Sequence, residues 1–304
     1  MTQLSKKIFE EYQVRKTKKQ KYNFINLMRN YYPNLKIEEK GKVLITQNLI
    51  IGDLEQAKLV LTAHYDTCAV MPISNFLTPK NAFIFILYQM AIVLIMILIS
   101  SAVQAIIMLL MGEEIGLFAG VAVLLLFAYL MIFGKANKHT ANDNTSGVIT
   151  LIEIMEAMSD EQREKTAFVF FDLEEAGLIG SSRFKKAHKN MMKDKLLINF
   201  DCVSDGDYIM LVETEPAQKE YGELIRKSFN DKEGKIALFE KSSTTIYPSD
   251  QANFKKSIAV ASFKKSKIFG YYMDKIHTNK DCNFDEKNIK YISECIRDFT
   301  CKIQ

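Results

Sequence analysis

One stretch of the chain joins a strongly apolar run to a cluster of acids. Residues 167–171 are unbroken apolar residues rich in Phe and Val, which is typical of a strand in the centre of a sheet. Asp172, Glu174 and Glu175 follow at once, and a helical pattern begins near Ser181. A strand, an acidic loop and a helix in this order predict an open α/β sheet whose site lies at the carboxyl ends of its strands.

The adjacent acids Glu174 and Glu175 allow two interpretations. Neighbouring carboxylates repel each other, and beside an apolar strand they need a cation or a shared proton. A solvated turn is the plainer alternative. The pair by itself does not separate the two.

Further polar residues of metal-ligand type lie at predicted strand ends or in polar loops. The apolar runs 58–63 and 196–200 both lead directly into such residues. The set consists of His64, Asp66, Asp143, Asp201 and His277. Imidazole and carboxylate groups of this kind suit two divalent ions of the zinc type.

The order of these motifs resembles the co-catalytic zinc aminopeptidase family, to which bacterial leucyl aminopeptidase, glutamate carboxypeptidase II and glutaminyl cyclase belong. The motifs are H-x-D, D-N-x-S-G, D-x-E-E-x-G-L-x-G-S, a single D, and H-T-x-x-D. They run from the strand at Lys58 to Asp281, with one large interruption. Five motifs in one order are a much stronger signal than any single one.

The resemblance implies two divalent metal ions, with Zn²⁺ expected, bound by five side chains: His64, Asp143, Glu175, Asp201 and His277. Asp143 would bridge the ions, with His64 and Asp201 completing one site. Glu175 and His277 would complete the other.

The resemblance also implies two catalytic roles outside the ligand set. Glu174 would be the general base, and Asp66 would hold the second imidazole nitrogen of His64 and so orient the ring. Thr278 and Asp281 are expected to support His277 in the same way. Some relatives carry Tyr immediately before the second metal-binding His. Ile276 occupies that position here, so the donor that would stabilise an oxyanion stays unassigned.

An abrupt change of composition separates the first motif from the second. Residues 82–111 contain no charged residue, the segment 112–114 (Gly-Glu-Glu) interrupts them, and residues 115–133 are again uncharged and apolar. A bilayer span needs about 20 apolar residues. A pair of buried core helices is the alternative, but each segment is apolar on every side, which favours a membrane.

We therefore expect a transmembrane hairpin at residues 82–133. It would be inserted in a loop of a discontinuous zinc-peptidase-like catalytic domain, formed by residues 1–81 and 134–304. The predicted fold class is α/β, with a mixed, mostly parallel central sheet flanked by helices.

The ligand order constrains the membrane topology. His64 and Asp66 precede the apolar segments, and the four remaining predicted ligands follow them. An odd number of membrane crossings would therefore put the two parts of the site on opposite sides of the bilayer. Lys80, Lys135 and Lys138 lie near the ends of the hairpin, and the positive-inside rule places that side in the cytoplasm. We expect two spans in the cell membrane, with the catalytic domain facing the cytoplasm.

Charge and cysteine content bear on the binding partners and on the cellular compartment of the protein. The net charge of +4 is too small to indicate nucleic-acid binding. An odd number of cysteines without a secretory signal pattern predicts reduced thiols in a cytoplasmic setting. Cys68, Cys202 and Cys282 lie near site motifs, and we expect them to be small buried hydrophobic residues.

Two local predictions concern the first fifty residues. Residues 1–31 have a helical pattern, and the basic run between Arg15 and Lys21 is either a solvated face or a surface attracted to anionic lipid. Residues 42–51 are expected to form a hairpin around Gln47 and Asn48.

The functional prediction is a membrane-anchored two-metal hydrolase that cleaves peptide amide bonds, first of all an aminopeptidase. Peptides and the lipid bilayer, through residues 82–133, are its expected partners. Another two-metal amide enzyme, such as a carboxypeptidase, deacylase or glutaminyl cyclase, is one alternative. A catalytically silent membrane scaffold is the other. The sequence leaves the oligomeric state open.

Overall fold

The structure, a computed structural model, describes residues 1–232 and 234–303. In these residues nine strands form one mixed sheet with helices on both faces, which confirms the predicted α/β class. The strands are β1 (Lys36–Lys40), β2 (Thr46–Ile51), β3 (Leu59–His64), β4 (Thr166–Phe171), β5 (Leu196–Phe200), β6 (Tyr208–Glu213), β7 (Ile236–Lys241), β8 (Ser257–Ser266) and β9 (Gly270–Tyr272).

The helices fall into a group that packs around the sheet and a pair, the third and fourth, that packs mainly against itself. They are α1 (Gln3–Glu11), α2 (Lys18–Tyr31), α3 (Ala82–Met111), α4 (Glu113–Phe133), α5 (Gly147–Ala157), α6 (Asp160–Glu164), α7 (Ile179–Ala187), α8 (Glu215–Ser228) and α9 (Glu286–Lys302).

The centre of the sheet is parallel and completely buried. The strand order is β1-β2-β4-β3-β5-β8-β6-β7, with β9 paired to β8. β3 pairs in parallel with β4 and β5, and β5 pairs in parallel with β8. Every residue of β3, β4 and β5 is buried, as their unbroken apolar runs predict. Their carboxyl ends therefore meet at one edge of the sheet, with His64 beside Phe171.

Apolar side chains on both faces hold the helices in place. Phe24 and Met28 of α2 and Phe299 of α9 are buried with α5 on one face of the sheet. Phe184 of α7 is buried with Phe171 on the other. Because helices cover both faces of the sheet, the sequences of the central strands are continuously apolar instead of alternating between apolar and polar residues.

The hairpin predicted around Gln47 and Asn48 is wrong in its position. β1 and β2 do form an antiparallel pair, but residues 41–45 connect them, with Gly41 at a φ of 104°. Asn48 is instead buried inside β2. Its side-chain amide accepts the N–H of Asp172 (3.1 Å) and donates to the carbonyl of Gly180 (3.0 Å). Asn48, which was expected in a turn, is therefore a strand residue whose side chain supports the acidic loop.

The amino-terminal basic run is only partly a surface, because Lys18 and Lys19 are exposed while Arg15 and Lys21 are buried. A break at residues 12–17 separates α1 from α2, and Thr17 caps α2 through a capping box with Gln20. Arg15 lies in this break and is completely buried. Lys21 is also buried, in an ion pair with Asp172. The run therefore faces partly inward, towards the loops at the sheet edge.

Helices α3 and α4 coincide closely with the two uncharged segments of the sequence. They pack against each other, and the hydroxyl of Ser100 donates to the carbonyl of Gly120 (2.6 Å). Gly112, at a φ of 96°, makes the turn, and Glu113 already begins α4. Both are long and apolar enough to cross a membrane, and their apolar side chains are mostly exposed, Leu109 by 87%.

Candidate metal centre

The carboxyl edge of the central strands collects the predicted ligands. His64 is the last residue of β3, Glu175 lies in the loop after β4, and Asp201 directly follows β5. Asp143 comes from the turn 141–146 that precedes α5, and His277 from the loop after β9. The five side chains predicted as metal ligands are thus brought together from loops far apart in sequence.

Asp143 lies between the two histidines. One of its oxygens, Oδ1, is 3.4 Å from Nε2 of His64, and the other, Oδ2, is 3.0 Å from Nε2 of His277. His64 Nε2 also lies 3.5 Å from Asp201 Oδ1, and His277 Nε2 lies 3.3 Å from Glu175 Oε2. One short carboxylate therefore joins two groups, each with one imidazole and one further acid.

The residues fit divalent metal ions. Ligands held 2.0–2.1 Å from a tetrahedral zinc are about 3.3 Å apart, close to the separations between these side chains. Oε1 of Glu175 and Oδ1 of Asp201 are buried and accept no hydrogen bond from the described part of the chain. Buried carboxylate oxygens need a partner. A bound cation would supply it, and a set of histidines and carboxylates is one that zinc uses.

Burial and the neighbouring charges shift the pKa values of the side chains in this cluster. Burial raises the pKa of Glu175 to about 8, with help from the charge of Asp143. Burial lowers the pKa of His277, but the charges of Glu175 and Asp143 outweigh that effect and raise it to about 9. Divalent cations at this cluster would favour ionised carboxylates and neutral imidazoles, which are the forms that bind metal.

Asp66 supports the site differently from the expectation. The Nδ1 of His64 lies 3.1 Å from the backbone carbonyl of Asp66 and 3.7 Å from its carboxylate, so the carbonyl is the better acceptor. The carboxylate instead accepts the backbone N–H groups of Glu174 (3.0 Å) and Glu175 (3.3 Å). One residue therefore orients His64 with its main chain and the acidic loop with its side chain.

Asp281 also supports a different element from the one expected. Its two oxygens accept the backbone N–H groups of Asn142 (2.9 Å) and Asp143 (3.0 Å). The hydroxyl of Thr278 donates to the carbonyl of Lys275 (2.7 Å), within its own loop. Asp281 thus holds the segment that carries the bridging aspartate rather than His277.

Asn144 explains the polar loop that opens α5. Its side-chain oxygen accepts the N–H groups of Gly147 (3.0 Å) and Cys202 (3.2 Å), and its nitrogen donates to the carbonyl of Phe200 (3.0 Å). A Cβ at Gly147 would collide with the Asn144 side chain and the Phe200 carbonyl. Glycine is therefore required for the loops of Asp143 and Asp201 to approach closely.

Arg15 is a support residue that the sequence analysis missed. Its Nε donates to the carbonyl of Tyr65 (2.6 Å), and its guanidinium nitrogens lie 3.2 Å from the hydroxyl of Thr145. Its backbone N–H donates to the hydroxyl of Thr67 (3.0 Å). Burial lowers the pKa of Arg15 to about 9. One cation therefore ties the His64 loop to the Asp143 loop, and no periodic pattern in the sequence marks it.

The cysteines near the site motifs differ from one another. Cys68 and Cys202 are buried, and burial raises the pKa of both thiols, so they fit the expectation of small buried hydrophobic residues. Cys282 is exposed, so the prediction is wrong for it.

A cleft of about 290 Å³ opens above the cluster. Its floor carries acids of the acidic loop and of the strand ends. Its walls are largely apolar and include Leu77, Phe85, Tyr247, Met273 and Ile276. The arrangement combines a polar, acid-rich floor with walls that suit an apolar side chain.

Known proteins share this fold. The structure resembles the glutaminyl cyclase of Porphyromonas gingivalis with a TM-score of 0.60 at 13% identity, covering 99% of this chain and 96% of that one. For the LapA aminopeptidase of Legionella pneumophila the TM-score is 0.57 at 12% identity, with coverages of 99% and 68%. For a Zn-dependent exopeptidase of Parabacteroides distasonis it is 0.57 at 12% identity, with coverages of 98% and 94%.

The sequence comparisons give the family. A search of curated proteins finds no match to the chain. Residues 49–300 match the model of Peptidase family M28. That range contains all five predicted metal ligands and both predicted catalytic residues. Since the match extends over most of the sequence, the chain belongs to peptidase family M28 and is a zinc-dependent metallopeptidase.

Proposed function

We propose that this metallopeptidase is an aminopeptidase that uses two divalent metal ions. The position of Asp143, with one oxygen towards each histidine, is the observation that carries the proposal. His64 and Asp201 would complete one metal site, and Glu175 and His277 the other. Divalent ions bound there would supply Lewis acidity towards the scissile carbonyl and the attacking water.

Glu174 is the proposed general base. Its side chain lines the cleft, within 4.8 Å of the ligand atoms of His64 and Asp201, and its backbone is held by Asp66. Burial raises its pKa well above the usual range. Divalent ions bound beside it would keep Glu174 ionised until it takes a proton from the attacking water, which it can then pass to the leaving amine.

The residues that line the cleft favour an amino terminus over a carboxyl terminus. Bound divalent ions would offset the negative charge of the carboxylates in the cleft, so the distinction depends on the other lining residues. Among the described residues that line the cleft, none is Lys or Arg, the residues that would pair with a terminal carboxylate. This composition supports an aminopeptidase over a carboxypeptidase.

Metal and substrate dependence test the proposal together. We expect more than one equivalent of transition metal per chain after exhaustive buffer exchange, and hydrolysis of leucyl arylamide that a chelator abolishes. Zinc, cobalt or manganese should restore part of the activity. N-acetylated leucyl arylamide, which lacks the free amine, is the control and should not be cleaved.

Three results would contradict this proposal. Full activity in a metal-free, chelator-treated protein would remove the metal mechanism. Preferential cleavage of the N-acetylated substrate would indicate a deacylase or an endopeptidase. Cyclisation of amino-terminal glutamine with release of ammonia, in the absence of peptide hydrolysis, would identify a glutaminyl cyclase instead.

We further propose that α3 and α4 anchor the enzyme in the cell membrane. The hairpin 82–133 would be the membrane-inserted unit, and residues 1–81 and 134–304 the catalytic domain. Both ends of the hairpin leave from the same body, so the two helices cross the bilayer as a pair. Lys80, Lys135 and Lys138 lie near these ends, which supports a cytoplasmic catalytic domain.

Accessibility of single cysteines tests this orientation. In a cysteine-free background, a Glu113→Cys variant is expected to react with an impermeant thiol reagent on intact cells. A Lys165→Cys variant should react only after permeabilisation, because it lies on the catalytic domain. The reverse labelling pattern would invert the orientation, and labelling of neither variant after permeabilisation would invalidate the assay.

A further inference from the structure

The first turn of α3 contributes to the catalytic cleft. Phe85 is its fourth residue, and its half-buried ring lines the cleft together with Met273 and Ile276. Phe83, two residues earlier, points away from the cleft and is 75% exposed. One wall of the proposed substrate site is therefore built by a helix that continues into the proposed membrane anchor.

Side-chain contacts fix this part of α3 to the catalytic body. The hydroxyl of Tyr88 donates to the carbonyl of Ser74 (2.7 Å), and its ring lies 5.3 Å from that of Phe76. Phe76 in turn contacts Phe269 and Tyr272 of the β8–β9 hairpin, at 5.2 and 6.0 Å. The first two turns of α3 thus belong structurally to the rim of the cleft.

The pairing of α3 with α4 shows how far α3 extends beyond its partner. Gly116 packs on Met108, and Gly120 packs on Gln104. Continuing this antiparallel register places Phe133, the last residue of α4, level with Ala91. Residues 82–90 of α3 therefore extend about 13 Å beyond the end of α4.

The length of α4 sets the position of the bilayer. Its 21 residues span about 31 Å, which matches a hydrocarbon core of about 30 Å. If α4 fills the hydrocarbon core, the first nine of the 30 residues of α3 lie outside it. Phe85 is six residues from Ala91, so the cleft wall lies about 9 Å from the hydrocarbon, at the depth of the lipid headgroups.

Exposed apolar and basic residues on the same rim fit this placement. Ile268, at the tip of the β8–β9 turn, is 75% exposed, and its neighbour Phe269 packs on Phe76 beside α3. Lys265 and Lys267 precede Ile268 in the chain and are also exposed. An apolar tip with basic neighbours suits a surface of anionic lipid headgroups.

We infer that the substrate is a peptide held in the bilayer by an apolar segment, with a short amino-terminal extension that enters the cleft. Its first side chain, large and apolar, packs on Phe85. An extended chain advances about 3.3 Å per residue, so about three residues cover the 9 Å between the hydrocarbon and the cleft. This inference rests on the proposed aminopeptidase function and names its substrate class.

A spacer series in proteoliposomes tests the substrate class. The full-length, metal-loaded protein is offered peptides that begin with Leu and end in an apolar bilayer-spanning segment, with spacers of one, four or twenty Gly/Ser residues. A soluble peptide without the segment is the reference. We expect release of leucine to be at least about tenfold faster with the four-residue spacer than with the soluble peptide.

The other two spacers separate geometry from simple enrichment at the membrane. One residue is too short to reach the cleft, so its peptide should be cleaved most slowly of the membrane-bound set. A spacer of twenty residues lowers the effective concentration of the amino terminus at the cleft. The peptide with this spacer should therefore be cleaved more slowly than the peptide with the four-residue spacer. Equal rates for all three spacers and the soluble peptide would overturn the inference while leaving the aminopeptidase proposal intact. No leucine release from any peptide would instead contradict the proposed function itself.

The contact with Phe85 is tested by a matched pair of variants. Phe85→Ala should lower kcat/KM for amino-terminal Leu about tenfold more than for amino-terminal Ala, since it removes apolar contact area. Phe83→Ala, on the same turn but facing outward, should not change that ratio. An equal change in the two variants would overturn the assignment.

A binding readout complements the rates. A membrane-bound peptide with benzoylphenylalanine at its amino terminus should cross-link to the cleft wall around Phe85 and Met273. Cross-links confined to the outer surface of α3 or α4 would contradict the proposed route.

Discussion

Replacement of Glu174 by Gln is expected to lower turnover by about 10²–10⁴ while leaving the metal content nearly unchanged. The side chain lines the cleft and belongs to no imidazole–carboxylate pair around Asp143. Gln keeps its size but cannot accept the proton of the attacking water. The backbone of the loop, which Asp66 holds, should stay in place because the substitution leaves its N–H unchanged.

Glu175→Gln is the matched control for this prediction. Its Oε2 lies 3.3 Å from Nε2 of His277, and its Oε1 is buried without a hydrogen-bond partner among the described residues. The amide should therefore weaken one metal site and lower the bound metal. Metal analysis and single-substrate kinetics on both variants decide the assignment. If Glu174→Gln loses metal and Glu175→Gln keeps it, the roles of the two acids are reversed.

Asp143→Ala is expected to reduce both metal content and activity to the limit of detection. Its two oxygens face the two histidines, so one substitution removes a ligand from both proposed sites. Asp201→Asn is the control, because Asp201 faces only His64 and its loss should affect one site. Metal analysis should then give a lower stoichiometry for Asp143→Ala than for Asp201→Asn.

Folding must be measured alongside, because both acids are buried. Circular dichroism and thermal unfolding should show that the variants keep their secondary structure. A folded Asp143→Ala variant that retains two metal equivalents would refute the bridging role.

The central sheet could be predicted because its information is local. A short, unbroken apolar run such as that of β4 favours a strand that is buried on both faces of the sheet. The acid that follows it marks the edge of the sheet. The same holds for α3 and α4, whose composition predicts helices without reference to the rest of the chain. Motif order added the family, which the match over residues 49–300 confirms.

The supporting contacts could not be predicted, because each joins residues far apart in sequence. Arg15 belongs to a basic run that was expected at the surface, yet it is buried between the loops of Tyr65 and Thr145. Asn48 had the composition of a turn, yet tertiary contacts with Asp172 and Gly180 make it a strand residue. Local propensity was overridden wherever a buried polar group had to be satisfied by a distant partner.

Local sequence patterns therefore predicted the α/β class and the two apolar helices, since each depends on residues that are neighbours in the chain. The order of the motifs and the family resemblance supplied the candidate ligands. The tertiary structure alone decided that the Asp66 carboxylate holds the acidic loop, that Asp281 holds the Asp143 loop, and that Phe85 faces the cleft. The physical reason is that hydrogen-bond direction and the register of two packed helices depend on distances between atoms, which residue spacing does not contain.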